Sequence, residues 1–317
     1  MTAYLLRRVA QSALLLVLVT IIAFGLMHLA PGGPLAVYAL NPSMRAEDLK
    51  RIEHNFGLDR PVYVQYAKWA RGMLTGDWGR SYRDSRPVDR VILDRVPATL
   101  ELTATALVIA VVLGVGIGVL GAVRQYSGAD YLATVGAMLA LSIPTFWFGL
   151  MVIYVFAEQL GWIPAGGRES LGRPFSLIDR LHHLVAPALV LGLVLVATWS
   201  RYTRAAMLEV VGQDYVRTAR AKGLAEGRVL LGHAFRNAVA PLITLGGIQL
   251  PLLFGGALVT ESIFSWPGMG RLFVDSLGYR DYPVLMGVLM VTAFLVIGFN
   301  LLADVLVALV DPRIRLR

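Results

Sequence analysis

Long apolar stretches alternate with charged segments along the whole chain. A helix needs about 20 apolar residues to cross the hydrocarbon core of a bilayer, and six stretches meet that requirement. Some of them contain glycine or proline, which membrane helices tolerate. The pattern therefore predicts an all-α integral membrane protein with about six transmembrane helices. The expected spans are residues 9–30, 99–123, 132–157, 184–200, 239–263 and 284–310.

The first apolar stretch follows Arg7 and Arg8, as the apolar region of a signal peptide would. Its length of about 22 residues exceeds the usual 7–15, and no clear small-x-small cleavage pattern follows it. We interpret residues 1–30 as a retained N-terminal transmembrane helix.

Basic residues are distributed unequally among the short connecting segments. The two termini, the segment after span two and the segment between spans four and five hold 13 of them, against 5 in the short segments on the opposite side. Arginine and lysine concentrate in cytoplasmic loops. We therefore expect both termini to be cytoplasmic.

The segment 31–98 falls on the extracytoplasmic side, although it carries 11 basic residues beside 8 acidic ones. Loops longer than about 60 residues largely escape the positive-inside rule. Apolar residues recur at helical spacing in Ala46–Phe56, 61–74 and 88–96, a pattern typical of surface helices. We expect a small folded extracytoplasmic cap at 31–98, followed by a transmembrane core at 99–310.

Composition agrees with a chain surrounded by lipid. Apolar residues make up 56% and charged residues 16%, against roughly 45–50% and 25% in soluble domains. The net charge is +8, and the basic residues are nearly all arginine, with 26 Arg beside Lys50, Lys68 and Lys222. A basic balance can indicate nucleic-acid binding, but here it follows the expected cytoplasmic loops. We therefore expect a lipid bilayer and no nucleic acid as a partner.

Several classes of catalytic site lack their sequence signatures. The chain has no cysteine, no Gly-Lys-Ser/Thr phosphate loop, no His-Glu-x-x-His and no Gly-x-Ser-x-Gly. The adjacent pair His182 and His183 is interpreted as polar residues at a span boundary rather than as metal ligands. We expect no catalytic residue, no metal and no cofactor in this chain, which would not be an enzyme.

Four acidic residues lie close to predicted span ends: Glu101, Glu158, Glu261 and Asp304. A proton- or ion-coupled carrier would place ionisable groups deep within its spans. We expect these four to reach headgroups or to cap helices, so that any driving energy comes from a partner.

The segment between spans four and five contains a short candidate helix. Asp214 is expected to cap its N-terminus, and Gly223 to supply a left-handed residue after its last turn. A helix of about two turns is not stable alone, so another surface should pack on it. Arg217, Arg220 and Leu224 fall on one face at spacings of three and four. The alternative is a solvated, positively charged loop.

At this point the sequence resembles a known family. The segment is similar to the Glu-Ala-Ala-x3-Gly motif of ABC importer permeases, with Gly223 on the motif glycine and Ala219 on its second alanine. Arg217 replaces the glutamate and Thr218 the first alanine, while the downstream Ile-x-Leu-Pro is not matched. Other similar pieces, in order along the chain, lie at residues 4–8, 31–34, 56–61, 76–81, 97–102 and 264–270.

The resemblance is to the first permease subunit of the dipeptide/oligopeptide/nickel branch, and it implies a type I importer permease fold. It implies a second homologous permease subunit, two ATPase subunits that hold ATP and Mg, and an extracytoplasmic substrate-binding protein. It also implies a coupling helix at 214–224 that docks on an ATPase subunit. Its candidate residues are Asp214, Tyr215, Arg217, Thr218, Ala219, Arg220, Ala221, Lys222, Gly223 and Leu224.

On this resemblance the cap becomes a candidate docking surface for the binding protein, with Arg80 and Arg83 as candidate contacts; the alternative is a cap that only shields the pore. The implied function is ATP-driven import of di- or oligopeptides across the bacterial inner membrane. Nickel chelates and glutathione-like compounds remain alternative substrates. A secondary transporter would show buried charges or half-helix repeats, and a membrane enzyme would show clustered catalytic groups. The sequence shows neither pattern, so both classes are disfavoured.

Overall fold

The computed structural model describes residues 2–35 and 45–310. Within these ranges the fold is nearly all helical, and a single isolated β-bridge joins Arg80 to Pro87. The helices are α1 (Thr2–Leu29), α2 (Ala46–Phe56), α3 (Val62–Thr75), α4 (Val88–Leu93), α5 (Val96–Val123), α6 (Gly128–Ser142), α7 (Thr145–Val152, continued by the π-helix Ile153–Gln159), α8 (Leu177–Val211), α9 (Asp214–Ala221), α10 (Arg236–Ile263, preceded by Glu226–Arg228 and the π-helix Val229–Phe235), α11 (Met269–Gly278) and α12 (Tyr282–Val310).

Five helical segments in the described part of the chain are long and apolar enough to cross a membrane. The number rises to six if the bent pair α6–α7 forms one span. The prediction of an all-α protein with about six spans is thereby confirmed. The three cap helices α2, α3 and α4 also lie within two or three residues of their predicted bounds.

The third predicted span differs from the prediction. A single continuous helix over 132–157 is wrong, because α6 and α7 meet at an angle of 101°. Ile143 at the break has an extended backbone, with φ −81° and ψ 125°, and Pro144 precedes the first residue of α7. Proline has no N–H to donate and disfavours helical geometry in the residue before it. The apolar run therefore continues while the helix does not.

The fourth span is longer than its apolar stretch. We predicted 184–200, whereas α8 covers Leu177–Val211. Its start is fixed by Ser176, whose side chain accepts a hydrogen bond from the Asp179 amide. Capping chemistry sets where a helix begins, whereas apolar length indicates only the part that lies within lipid.

The chain divides into two compact units. The first contains the described residues of 1–97 together with 268–297. In it the buried carboxylate of Asp281 accepts hydrogen bonds from the Ser81 hydroxyl and from the Tyr82 amide, the latter at 3.0 Å. A buried apolar cluster joins α4 to α11 and α12; its members are Val88, Val91, Ile92, Met269, Val284 and Val288.

The second unit contains residues 98–267 and the described residues from 298 onward. Helices α5 and α8 approach closely in it, because a Cβ built at Gly114 would lie 2.5 Å from Trp199 Cβ. One built at Gly118 would lie 2.6 Å from the Ser200 carbonyl oxygen. Small residues allow membrane helices this backbone approach.

The acidic residues near span ends do not all behave as expected. Glu261 is fully buried and accepts a hydrogen bond of 2.7 Å from the Thr99 hydroxyl. Glu101 pairs with Arg168 and Arg180. The expectation that these carboxylates reach headgroups or cap helices is therefore wrong for Glu261 and Glu101, because residues far away in the chain give them polar partners.

The adjacent histidines both bond to backbone carbonyls. Nε2 of His182 lies 2.7 Å from the Trp162 carbonyl oxygen, and Nδ1 of His183 lies 2.8 Å from that of Asp179. No group of three potential metal ligands occurs among the described residues.

Candidate functional site

Helix α9 begins one residue earlier than predicted. Gln213 is the N-cap, with φ −74° and ψ 152°, and its carbonyl oxygen accepts hydrogen bonds from the Val216 and Arg217 amides. The prediction of Asp214 as the N-cap is therefore wrong, because Asp214 already has a helical backbone as the first residue of α9. Its carboxylate still lies in the first turn, where the helix dipole favours a negative charge.

The C-terminus of α9 ends in a Schellman motif. The Gly223 amide donates to the Arg220 carbonyl at 2.9 Å, and the Leu224 amide donates to the Ala219 carbonyl at 3.4 Å. Gly223 has φ +76°, which confirms the predicted left-handed residue. Nothing lies within 4 Å of a Cβ built there. The backbone conformation, rather than lack of space, thus favours glycine at this position.

The inner face of α9 packs on the chain's own core. Val216 is completely buried and Ala219 is 5% exposed. They share a buried apolar cluster with residues of α5, α8 and the segment 226–238: Ala122, Ala206, Met207, Val229, Ala234 and Ala238. Burial of one valine side chain contributes roughly 1.5–3 kcal/mol. A helix too short to be stable alone is therefore held in place by its own chain.

The outer face of α9 carries its polar residues. Arg217 is exposed over 73% of its side chain, and Tyr215, Thr218, Ala221 and Lys222 are also exposed. The prediction that Leu224 shares this face is wrong. Leu224 is partly buried against the cluster of Val216 and Ala219, because the left-handed Gly223 returns the chain towards the inner face, as in other Schellman motifs.

Arg220 has a carboxylate partner across the Gly223 turn. Its Nη2 and Nε donate to the two carboxylate oxygens of Glu226 at 2.7 and 3.2 Å. This hydrogen bonding raises the pKa of the Arg220 guanidinium above its usual value. Arg220 therefore fixes the turn. Arg217 Nη1 lies 3.7 Å from Oδ1 of the still more exposed Asp214, a surface pair that contributes little.

Comparison with known proteins identifies the family. Residues 110–316 match the family described as binding-protein-dependent transport system inner membrane component. Residues 1–103 match the corresponding N-terminal family. The chain belongs to this family. Its members are permease subunits of ABC importers, so the chain is a transport component rather than an enzyme, and a multi-pass protein of the inner membrane.

Individual relatives agree over the full length of this permease. It is 46% identical to the oligopeptide transport system permease protein AppB of Bacillus subtilis, over 99% of each chain. It is 38% identical to the dipeptide transport system permease protein DppB of Escherichia coli, again over 99% of each. A chain in the structure of inward-facing conformations of the MetNI methionine ABC transporter shares the fold. The TM-score is 0.59 at 19% identity, over 72% of this permease and 99% of that chain.

The candidate cap residues of the permease, Arg80 and Arg83, are both exposed. Arg80 Nη1 donates to the Ser85 carbonyl at 2.9 Å. The Arg83 guanidinium lies 3.9 Å from the centroid of the Tyr279 ring, a cation–π geometry. The loop that presents these arginines donates hydrogen bonds to Asp281, a residue for which we had predicted no role.

Two further residues of the permease were missed, although the sequence contained a signal for each. Val216 precedes Ala219, the residue on the second alanine of the motif, by three residues, about one turn of helix. Glu226 follows a turn-forming glycine by three residues and so lies within reach of the preceding helix.

Proposed function

We propose that this permease moves di- or oligopeptides into the bacterial cytoplasm, with α9 as the helix that receives motion from an ATPase subunit. The observation that carries the proposal is the division of α9 into two faces. Val216 and Ala219 anchor it to the second unit, while Tyr215, Arg217 and Lys222 are exposed on the same short helix. An exposed face on a well-anchored helix is suited to docking another protein.

The complete transporter would contain this chain, a second homologous permease, two ATPase subunits with ATP and Mg, and a binding protein. Both termini and α9 would lie in the cytoplasm, and the cap at 31–98 outside. The excess of basic residues around α9 supports this orientation. The exposed pair Arg80 and Arg83 would contact the binding protein.

Peptides are the proposed substrates because relatives that match along the whole chain are named for oligopeptides and dipeptides. Nickel chelates or glutathione-like compounds would be alternative outcomes of the same assay. Nothing in the sequence offers a phosphate-binding loop, so ATP hydrolysis belongs to the partner subunits.

The test is reconstitution of the permease with its partner subunits and binding protein in proteoliposomes. We expect ATP-dependent uptake of labelled dialanine, with no comparable uptake of nickel chelate or glutathione. Arg217→Glu should reduce co-purification of the ATPase subunits and uptake together, whereas Lys50→Glu on α2 should leave both unchanged. ATP-driven uptake of a nickel chelate without peptide uptake would contradict the substrate assignment.

A further inference from the structure

The first unit contains a cleft that the proposed function has not yet used. Its volume is about 480 Å³, within the 300–1,000 Å³ common for small-molecule sites. Helix α3 and the loop 76–82 form one side, and the ends of α1 and α12 form the other. The cleft therefore belongs to the cap and its supporting helices.

The walls of the cleft are rich in aromatic rings. Trp69, Trp78 and Tyr82 line it, together with Phe24 and Phe56. Phe56 and Tyr82 stack with ring centroids 4.2 Å apart, and Phe24 lies 6.2 Å from Trp69. Such rings provide a large apolar surface with defined orientation.

The same cleft carries three cations and one anion: Arg60, Lys68 and Arg80, with Asp77. Among the described residues, no ion pair joins any of the three cations to a carboxylate. Arg80 bonds to a backbone carbonyl, and Asp77 accepts the Gly79 amide at 3.0 Å. The cleft thus has an excess of positive charge beside apolar rings.

An unsatisfied donor also borders the cleft. The indole N–H of Trp69 is buried and has no hydrogen-bond partner within the described part of the chain. A buried donor without an acceptor is costly. By contrast, the neighbouring Gln65 is fully engaged, because its amide donates to the Leu58 and Arg60 carbonyls and its oxygen lies 3.0 Å from His28 Nε2. Trp69 therefore combines a ring in the lining of the cleft with an indole donor that lacks a hydrogen bond.

We propose that the cleft binds a short peptide on the permease itself, which rests on the proposed function of peptide import. The peptide carboxylate lies between Lys68 and Arg60, its ammonium faces Asp77, and an apolar side chain packs on Trp69 and Trp78. A carboxylate, an ammonium and a side chain within one small molecule match the charges and the rings together. A lipid headgroup is the competing occupant.

The binding test uses the assembled permease–ATPase complex in nanodiscs without binding protein. The probe is alanyl-phenylalanine, followed by isothermal titration calorimetry. Loss of a charge-assisted hydrogen bond is expected to weaken binding about tenfold. Lys68→Gln and Arg60→Gln should each show this loss, and Trp69→Phe a smaller one. Lys50→Gln is the matched control, because Lys50 is exposed on α2 away from the cleft.

A change in the dipeptide tests whether Lys68 contacts its carboxylate. Amidation of the dipeptide carboxylate should weaken binding to the wild-type complex by a larger factor than Lys68→Gln, because it removes the charge that both Lys68 and Arg60 contact. In the Lys68→Gln complex amidation should weaken binding by a smaller factor than in the wild type, because only Arg60 remains to contact the carboxylate and coupled groups are not additive. Equal loss on amidation in both complexes would overturn the assignment of Lys68 to the carboxylate.

The lipid composition of the nanodiscs distinguishes a lipid headgroup from a peptide as the occupant of the cleft. The titration is repeated in nanodiscs of phosphatidylcholine with and without phosphatidylglycerol. If Lys68→Gln changes retention of phosphatidylglycerol and leaves dipeptide binding intact, a lipid headgroup occupies the cleft and the proposal fails. It also fails if the wild-type complex binds no alanyl-phenylalanine. If the cleft proposal fails in either of these ways but the wild-type complex takes up peptide with ATP, peptide import remains the function. If the wild-type complex takes up no peptide, peptide import itself is wrong.

Discussion

Substitution of Gly223 by valine tests the role of α9 with little disturbance elsewhere. Gly223 has φ +76°, and a β-branched residue in this left-handed region costs roughly 1–2 kcal/mol. A Cβ there would meet no atom within 4 Å, so no steric clash adds to the cost. The strain acts on the Schellman motif, and relieving it displaces Leu224 from the buried cluster.

The expected loss of affinity for an ATPase subunit follows from this strain energy. A penalty of 1–2 kcal/mol lowers the equilibrium ratio of capped to uncapped conformation by a factor of roughly 5–30. The affinity for an ATPase subunit falls by up to that factor, since only the capped state presents the docking face. Val216 remains buried on the inner face, so α9 loosens at its C-terminus and the transmembrane helices are untouched.

The assay compares membrane abundance, co-purification of ATPase subunits and ATP-driven uptake for three variants. Gly223→Val should keep normal abundance and lose docking and uptake together. Gly223→Asn is a conservative control, because asparagine tolerates the left-handed conformation. Gly212→Val is a positional control, since Gly212 has φ −81° and open space around it. Normal docking and uptake in Gly223→Val would refute the assignment of α9, as would an equal loss in Gly212→Val.

Three further predictions concern charge and orientation. Arg217→Glu should reduce ATPase docking while leaving α9 folded, whereas Arg220→Glu should also disturb the turn at Gly223; pull-down combined with limited proteolysis distinguishes them. Arg80→Glu should weaken the stimulation of ATPase activity by the binding protein, with Lys50→Glu as a control, and unchanged stimulation would favour a cap that only shields the pore. Leu74→Cys should react with an impermeant maleimide from the extracytoplasmic side, and labelling only from inside would reverse the topology.

Local chemistry made some elements predictable. A glycine after a run of good helix formers has few structural alternatives, so the end of α9 at Gly223 followed from the sequence. The cap helix α2 was predictable for a similar reason, because its amphipathic period lies between the N-cap Arg45 and the left-handed Gly57. In both cases the determining residues lie within one or two turns of the feature they determine.

Other features depend on residues far apart in the chain and could not be predicted from periodicity. Leu224 lies beyond a left-handed residue, where the helical repeat no longer indicates direction. The partner of Glu261 is Thr99, 162 residues away. Pro144 is compatible with either a kinked or a broken helix, and the choice depends on packing around it. The cleft of the cap likewise combines residues from Phe24 to Met286.

The packing of α9 also limits how it can respond to a partner. Val216 and Ala219 share one buried cluster with α5, α8 and the π-helix Val229–Phe235, so α9 cannot shift alone without opening that cluster. Packed cores move between discrete arrangements rather than deforming continuously. The π-helix is the least regular element in contact with α9, and π-helical turns are frequent at functional positions. If an ATPase subunit displaces α9, as proposed, the shared cluster predicts that the end of α8 and this π-helix move with it.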